Sequence, residues 1–160
     1  MAVSVLLEID DFLSDDFGLI AIISSLEDYR LAYYINKYCQ ISLHKSSKPL
    51  VLTKFEIDTP FTIFHYEDEA DQIYWSLISN RSFESHLKYN QNFELEEVLI
   101  VSEILLIPEC ENANYFLKID NFYDHTFIKS LINSLNSISG INCVYEVDKH
   151  TLVSINNLLF

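Results

Sequence analysis

The stretch that most constrains this chain runs from Val98 to Ile119. Val98 to Ile107 is its longest nearly unbroken apolar run, with Glu103 as the only charge. Pro108 then removes a backbone donor and drives Ile107 toward extended geometry. Glu109-Cys110-Glu111-Asn112 supplies a polar turn, and Tyr115, Leu117 and Ile119 alternate with Phe116 and Lys118. The pattern predicts strand, turn, strand: a hairpin at the centre of a sheet.

Two helices are expected around it. The first opens near Ser24 or Ser25, where Glu27 and Asp28 stand three residues on, as in a reciprocal cap. It runs to about Tyr38, with Glu27, Arg30 and Lys37 on its polar stripe and Leu31, Ala32, Ile35 and Tyr38 on its apolar side. Tyr29, Tyr33 and Tyr34 ring the boundary. The second helix is capped by Asp120 or Asn121. Its apolar positions Phe127, Ile128, Leu131, Ile132, Leu135 and Ile138 recur at three and four, and Gly140 ends it.

Strands are predicted at Val3–Leu7, Leu19–Ile23 and Ile41–Leu43. Further strands span Phe55–Leu77, where the acidic Glu67–Asp71 turn joins two alternating runs, and the last is Ile141–Val147. Asn80–Asn92 reads as irregular. Leu19–Leu43 and Tyr115–Val147 are thus two β-α-β segments with returning parallel strands and no shared motif. The fold class is α+β: a mostly antiparallel sheet with two main helices packed on it. A chain of 160 residues is expected to form a single domain, 1–160.

The formal net charge of −14 opposes binding to nucleic acid or anionic lipid, since both need Lys and Arg. The sole basic cluster, Lys45-Ser46-Ser47-Lys48, is too small for a nucleic-acid patch. The negative field suits either an acidic surface that keeps the chain soluble or a face that docks a basic protein partner. The first residues lack the basic start of a secretory signal, and no run approaches a membrane span, so a cytoplasmic setting is expected.

Three cysteines, an odd number without CxxC spacing, fit free thiols. Cys143 is expected in the core, and Cys110 is expected to be the more exposed thiol, its pKa raised by Glu109 and Glu111.

No catalytic constellation stands out, and no cofactor is implied. The histidines at 44, 65, 86, 125 and 150 have no metal-ligand spacing, and the acidic turns lack the glycine of a calcium loop, so no metal site is signalled. Two glycines in the whole chain rule out phosphate-cradling loops.

His65 lies in a strand among aromatics, including Trp75 across the acidic turn; a carboxylate neighbour would raise its pKa. Glu103 either points outward or needs a cation, with Arg30, Arg81 and Lys118 as candidates.

Ile107-Pro108-Glu109, three residues, then Ala113-Asn114-Tyr115 resembles the signature of the IPExxxVDY family of uncharacterised bacterial proteins. Ser25–Asn36, Tyr66–Glu69 and Asn157–Phe160 also resemble that family, so the likeness spans most of the chain. It implies a small cytoplasmic bacterial protein and no known activity. The chain departs from the signature at Ala113 and at Asn114, where an amide replaces a carboxylate. An amide cannot exchange a proton, which favours a turn in which Glu109 and Asn114 bond backbone groups over an acid–base pair.

Two functions are therefore expected to compete. The first is a non-catalytic protein-interaction module using tyrosine-rich surface. The second is a small-molecule-binding or enzymatic domain with a pocket near Tyr29 and Tyr33 or near the Glu109–Tyr115 turn. The residues that would carry either are Pro108, Glu109, Asn114, Tyr115, Tyr29, Arg30, Tyr33, His65 and Trp75.

Overall fold

The computed structural model describes residues 17–89, 97–122 and 124–160. The expected strand at Val3–Leu7 and the acidic turn after it lie outside them. The fold is α+β. Its main sheet is six-stranded and antiparallel throughout, in the order β10-β1-β9-β6-β5-β2. These strands are β1 (Phe17–Ser24), β2 (His44–Lys45), β5 (Ile63–Asp68), β6 (Ile73–Ser79), β9 (Tyr115–Asp120) and β10 (Ile141–Glu146). Two ribbons complete the strands: β3 (Leu50–Lys54) with β4 (Ile57–Phe61), and β7 (Arg81–Tyr89) with β8 (Glu97–Leu105). The helices are α1 (Asp28–Cys39) and α2 (His125–Asn136). No helix among the described residues is long and apolar enough to cross a membrane.

β1 organises the sheet. It is antiparallel to both β9 and β10, so those two strands run parallel to each other with β1 between them. The segment β9-α2-β10 is therefore a split crossover. By the same alternation β1 and β2 run in one direction, with β9, β6 and β5 between them. The expected returning strands are parallel in direction but are not neighbours.

Both faces of β1 are buried, as its unbroken FGLIAII sequence requires. Ile20 and Ile22 face the helices, meeting Leu31 and Ile35 of α1 and Ile128, Leu131 and Leu135 of α2. Leu19 and Ala21 face the other way, toward Phe61, Leu106, Ile107, Leu152 and Leu158. Each large side chain so buried contributes about 1.5–3 kcal/mol. The second face is thus covered by the β3–β4 ribbon, the end of β8 and the segment 148–160.

Several expectations are corrected. Val98–Ile107 and Tyr115–Ile119 do not pair with each other: β8 pairs with β7, and β9 lies between β1 and β6. The part of the expected irregular stretch Asn80–Asn92 that lies within the described residues is not irregular: β7 occupies Arg81–Tyr89. Its polar–aromatic sequence reflects a ribbon with an open face, where Phe83 and Val101 are exposed. Pro60 lies inside β4, in a two-stranded ribbon where its missing donor is tolerated.

α1 starts at Asp28 with Glu27 in the cap position and no side-chain cap. Ser24 Oγ donates instead to the Gly140 carbonyl at 2.7 Å and accepts from Leu26 N–H at 3.0 Å. Gly140 has φ +95°, and a Cβ there would meet the Leu26 side chain at 2.7 Å, so the turn needs glycine. α2 is capped by Asp124, whose carboxylate accepts from Thr126 and Phe127 N–H, not by Asp120 or Asn121.

Tyr38 is exposed rather than apolar-facing; Tyr34 and Cys39 pack on the core in its place. Cys143 is exposed, not buried. Ile23 pairs with Cys143 but Ser24 pairs with Ile141, so Asn142 is an extra residue. That bulge reverses the alternation and turns Val144 toward the helices.

Candidate functional site

The motif turn is built by a residue that sequence reasoning passed over. Asn80, between β6 and β7, is fully buried. Its Oδ1 accepts from Ile107 N–H at 2.8 Å, and its Nδ2 donates to the carbonyls of Cys110 and Ala113, both at 3.0 Å. Its backbone donates to Asn114 O and accepts from Leu106 N–H. One asparagine thus shapes the whole 106–114 turn, in which Pro108 opens a short 3-10 helix, Pro108–Cys110.

The named motif residues then tie this turn to its neighbours. Asn114 Oδ1 accepts from Ser24 N–H at 2.9 Å, at the end of β1. Its backbone N–H donates to Ile22 O. The Tyr115 hydroxyl donates to Leu26 O at 2.8 Å, two residues before α1 begins. Burial first, then the carboxylates of Asp28 and Glu27, raise the Tyr115 pKa.

Glu109 Oε1 accepts from Ser154 N–H at 2.7 Å and so holds the segment 148–160. Desolvation alone would raise the Glu109 pKa. Hydrogen bonds from its own N–H, from Ser154 and from Val153 outweigh it and leave the carboxyl below its usual value. Glu109 and Asn114 both bond backbone groups, and Glu103 pairs with Arg81 at 2.7 Å on the outer face of the β7–β8 ribbon.

α1 carries a cluster of exposed tyrosines, while Phe55 and Phe83 are exposed on the two ribbons. Tyr29 and Tyr33, one turn apart, are 60% and 62% exposed, and Tyr38 is 50% exposed. Tyr33 packs edge-on against half-buried Tyr34 at 5.5 Å. A hydrogen bond to Glu27 is the first cause of a raised Tyr29 pKa. Arg30 is exposed beside these rings.

His65 and Trp75 belong elsewhere. Trp75 is buried under α2, edge-on to Phe127 at 6.2 Å. His65 lies on the opposite sheet face, with Nδ1 3.2 Å from Ser76 Oγ. Its pKa is lowered, first by desolvation and then by His44, not raised by a carboxylate as expected.

Asn114 and Tyr115 are thus joined to the start of the Tyr29–Tyr33 helix. Glu103, Glu109, His65 and Arg30 make no hydrogen bond or ion pair with one another. Among the described residues, no group of three or more His, Cys, Asp or Glu is placed to hold a metal. Sequence reasoning did not single out Ser76 and named Lys118 only as a candidate partner for Glu103; both are buried polar residues on the His65 face. The chain matches no protein-family model, no curated protein and no solved structure.

Proposed function

We propose that this protein is a non-catalytic interaction module of the cytoplasm, a member of the IPExxxVDY type, that docks a basic protein through the outer face of α1. The observation that carries it is the pair Tyr29 and Tyr33, 60% and 62% exposed one turn apart. Tyrosine gives large, rigid contact area at low entropic cost, and such rings are enriched in interfaces. Arg and Lys of a partner would stack on them.

The charge of −14 suits a basic partner and would speed encounter. The IPE turn supports the docking face from behind, since Asn114 and Tyr115 fix where α1 begins. At each edge of the main sheet an asparagine side chain bonds the backbone of one residue, Leu43 beside β2 and Val144 on β10, which hinders strand addition there and favours the helix face. Free thiols at Cys39, Cys110 and Cys143 agree with a reducing compartment.

The test is affinity capture with the wild-type chain and a Tyr29→Ala/Tyr33→Ala variant, at low and high salt. A basic protein held by the wild type, lost from the variant and weakened by salt is the expected result. Capture that the double substitution leaves unchanged would reject the α1 face.

A further inference from the structure

The second face of the sheet changes character along its strands. Its middle is apolar, with Ile63, Ile78, Phe116 and Ala21 side by side. One register position pair further out, a polar row crosses four strands. His44 on β2 lies opposite His65 on β5, His65 opposite Ser76 on β6, and Ser76 opposite Lys118 on β9. Directly opposed residues point the same way with Cβ atoms roughly 4.5–5.5 Å apart. His65, Ser76 and Lys118 therefore form a continuous floor.

That floor is built rather than incidental. Ser76 is 3% exposed and hydrogen-bonds His65. The Lys118 side chain is 4% exposed, with Nζ 2.8 Å from Asp120 Oδ1. A buried ammonium needs compensation on every side. Lys118 obtains the rest from two aromatic faces: Phe17, 4.9 Å from Nζ to the ring centre, and Phe160, at 4.7 Å. The Phe160 ring also lies 6.4 Å from that of His65. Ser76 sits between Lys118 and His65 in the row, so Phe160 roofs it.

The roof is loosely held. Phe160 stays 54% exposed, while Leu158 two residues earlier is fully buried. A ring set over polar groups and half in water gains little from apolar burial.

We propose that the floor of His65, Ser76 and Lys118 is a binding site for a small, neutral, planar heteroaromatic molecule, and that the Phe160 ring competes for it. A ligand ring replaces the Phe160 face over the Lys118 ammonium. A polar edge on that ring meets Ser76 Oγ or the His65 imidazole. Asp120 already pairs with the Lys118 ammonium, and the Glu67 carboxylate lies one same-face position beyond His65, so the floor favours a neutral ligand over an anion. The depressed pKa of His65 keeps it neutral near pH 7, so it offers a hydrogen bond rather than a second cation.

Indole tests the site directly, by titration into the full chain with amide chemical shifts recorded by two-dimensional NMR. Phe160 competes with the probe, so Phe160→Ala is expected to bind indole about tenfold more tightly than wild type. The shifts should centre on His65, Ser76 and Lys118, and adding Lys118→Met should remove the gain. Equal affinity in wild type and Phe160→Ala, shifts centred elsewhere, or a gain that survives Lys118→Met would overturn the proposal. The same spectra report folding. Should Phe160→Ala lose its dispersed signals, Phe160→Leu, which keeps bulk but no π face, must still bind more tightly than wild type.

Discussion

Asn136 grips the backbone of Val144 with both halves of its amide: Oδ1 accepts from Val144 N–H at 2.9 Å, and Nδ2 donates to Val144 O at 3.2 Å. Asn36 does the same to Leu43, at 2.7 Å and 3.0 Å. Val144 lies on β10, one edge of the main sheet, and Leu43 directly precedes β2, the other edge. Each helix thus sends one amide to satisfy the outward backbone of the strand that follows it. An open edge is a template for another chain, and each of these side chains blocks it at one residue. The spacings differ by one residue, seven against eight, so the shared device leaves no common sequence motif.

Removing the β10 clamp should weaken the fold and open that edge. Asn136→Ala leaves the Val144 N–H and C=O without partners, for an expected loss of about 1–2 kcal/mol. Urea denaturation measures the loss, and hydrogen exchange should show faster exchange at the Val144 amide. Unchanged exchange there would mean that the edge does not depend on Asn136.

Asn80 should be the most sensitive polar position. Asn80→Ala strands Ile107 N–H and the Ala113 carbonyl in a buried turn, and leaves the Cys110 carbonyl with Ala113 N–H alone. The expected loss is roughly 3–5 kcal/mol by denaturant unfolding. Asn80→Asp keeps the acceptor but sets a carboxylate against two carbonyls, so it should be no better than alanine. An aspartate variant as stable as wild type would refute this account of the turn.

What the sequence disclosed follows from which interactions are local. Helical periodicity located α2 because Ile128, Leu131 and Leu135 face one core. The acidic turn after Asp68 announced the β5–β6 hairpin because both runs alternate. Strand partners were not legible. β8 is apolar enough to suit a sheet centre, yet β9 takes that place because β1 supplies it with a fully buried neighbour. The candidate site was less visible still. Lys118 stood out only as a possible partner for Glu103, because nothing local reveals that residues 148–160 cover that face. Asn80 looked like a loop residue because its partners lie 27 to 33 residues away.

Thiol reactivity should follow the bulge in β10 rather than the simple alternation of its sequence. Cys143 is exposed, whereas burial pushes the Cys39 thiol up to about 11. The Cys110 thiol is raised by burial and then by Glu109, with a hydrogen bond from Tyr145 lowering it in part. A disulfide reagent at pH 7.5 should therefore label Cys143 fastest and Cys39 slowest, since thiolate fraction and access set the rate. Cys143→Ser should delete the fast phase; a fast phase that persists would place another thiol at the surface.

Glu109 should make the hold on residues 148–160 depend on acid. Its folded pKa lies below the ordinary value near 4.5 because the ionised carboxylate accepts from the Ser154 and Val153 backbone. A carboxyl with a depressed folded pKa stabilises the fold above its unfolded value and loses that contribution as pH falls through the folded one. The stability advantage of wild type over Glu109→Gln should therefore be present at pH 7 and shrink below about pH 4.5. The glutamine still accepts from Ser154, so the difference at pH 7 isolates the ionised form. His65 acts in a separate window. Its folded pKa is lowered from 6.5, so its contribution is full above that value and falls as pH drops through the folded one. Urea midpoints of wild type and Glu109→Gln from pH 7 to pH 3.5 distinguish the two. Curves that stay parallel over the whole range would mean that folding does not favour the Glu109 carboxylate.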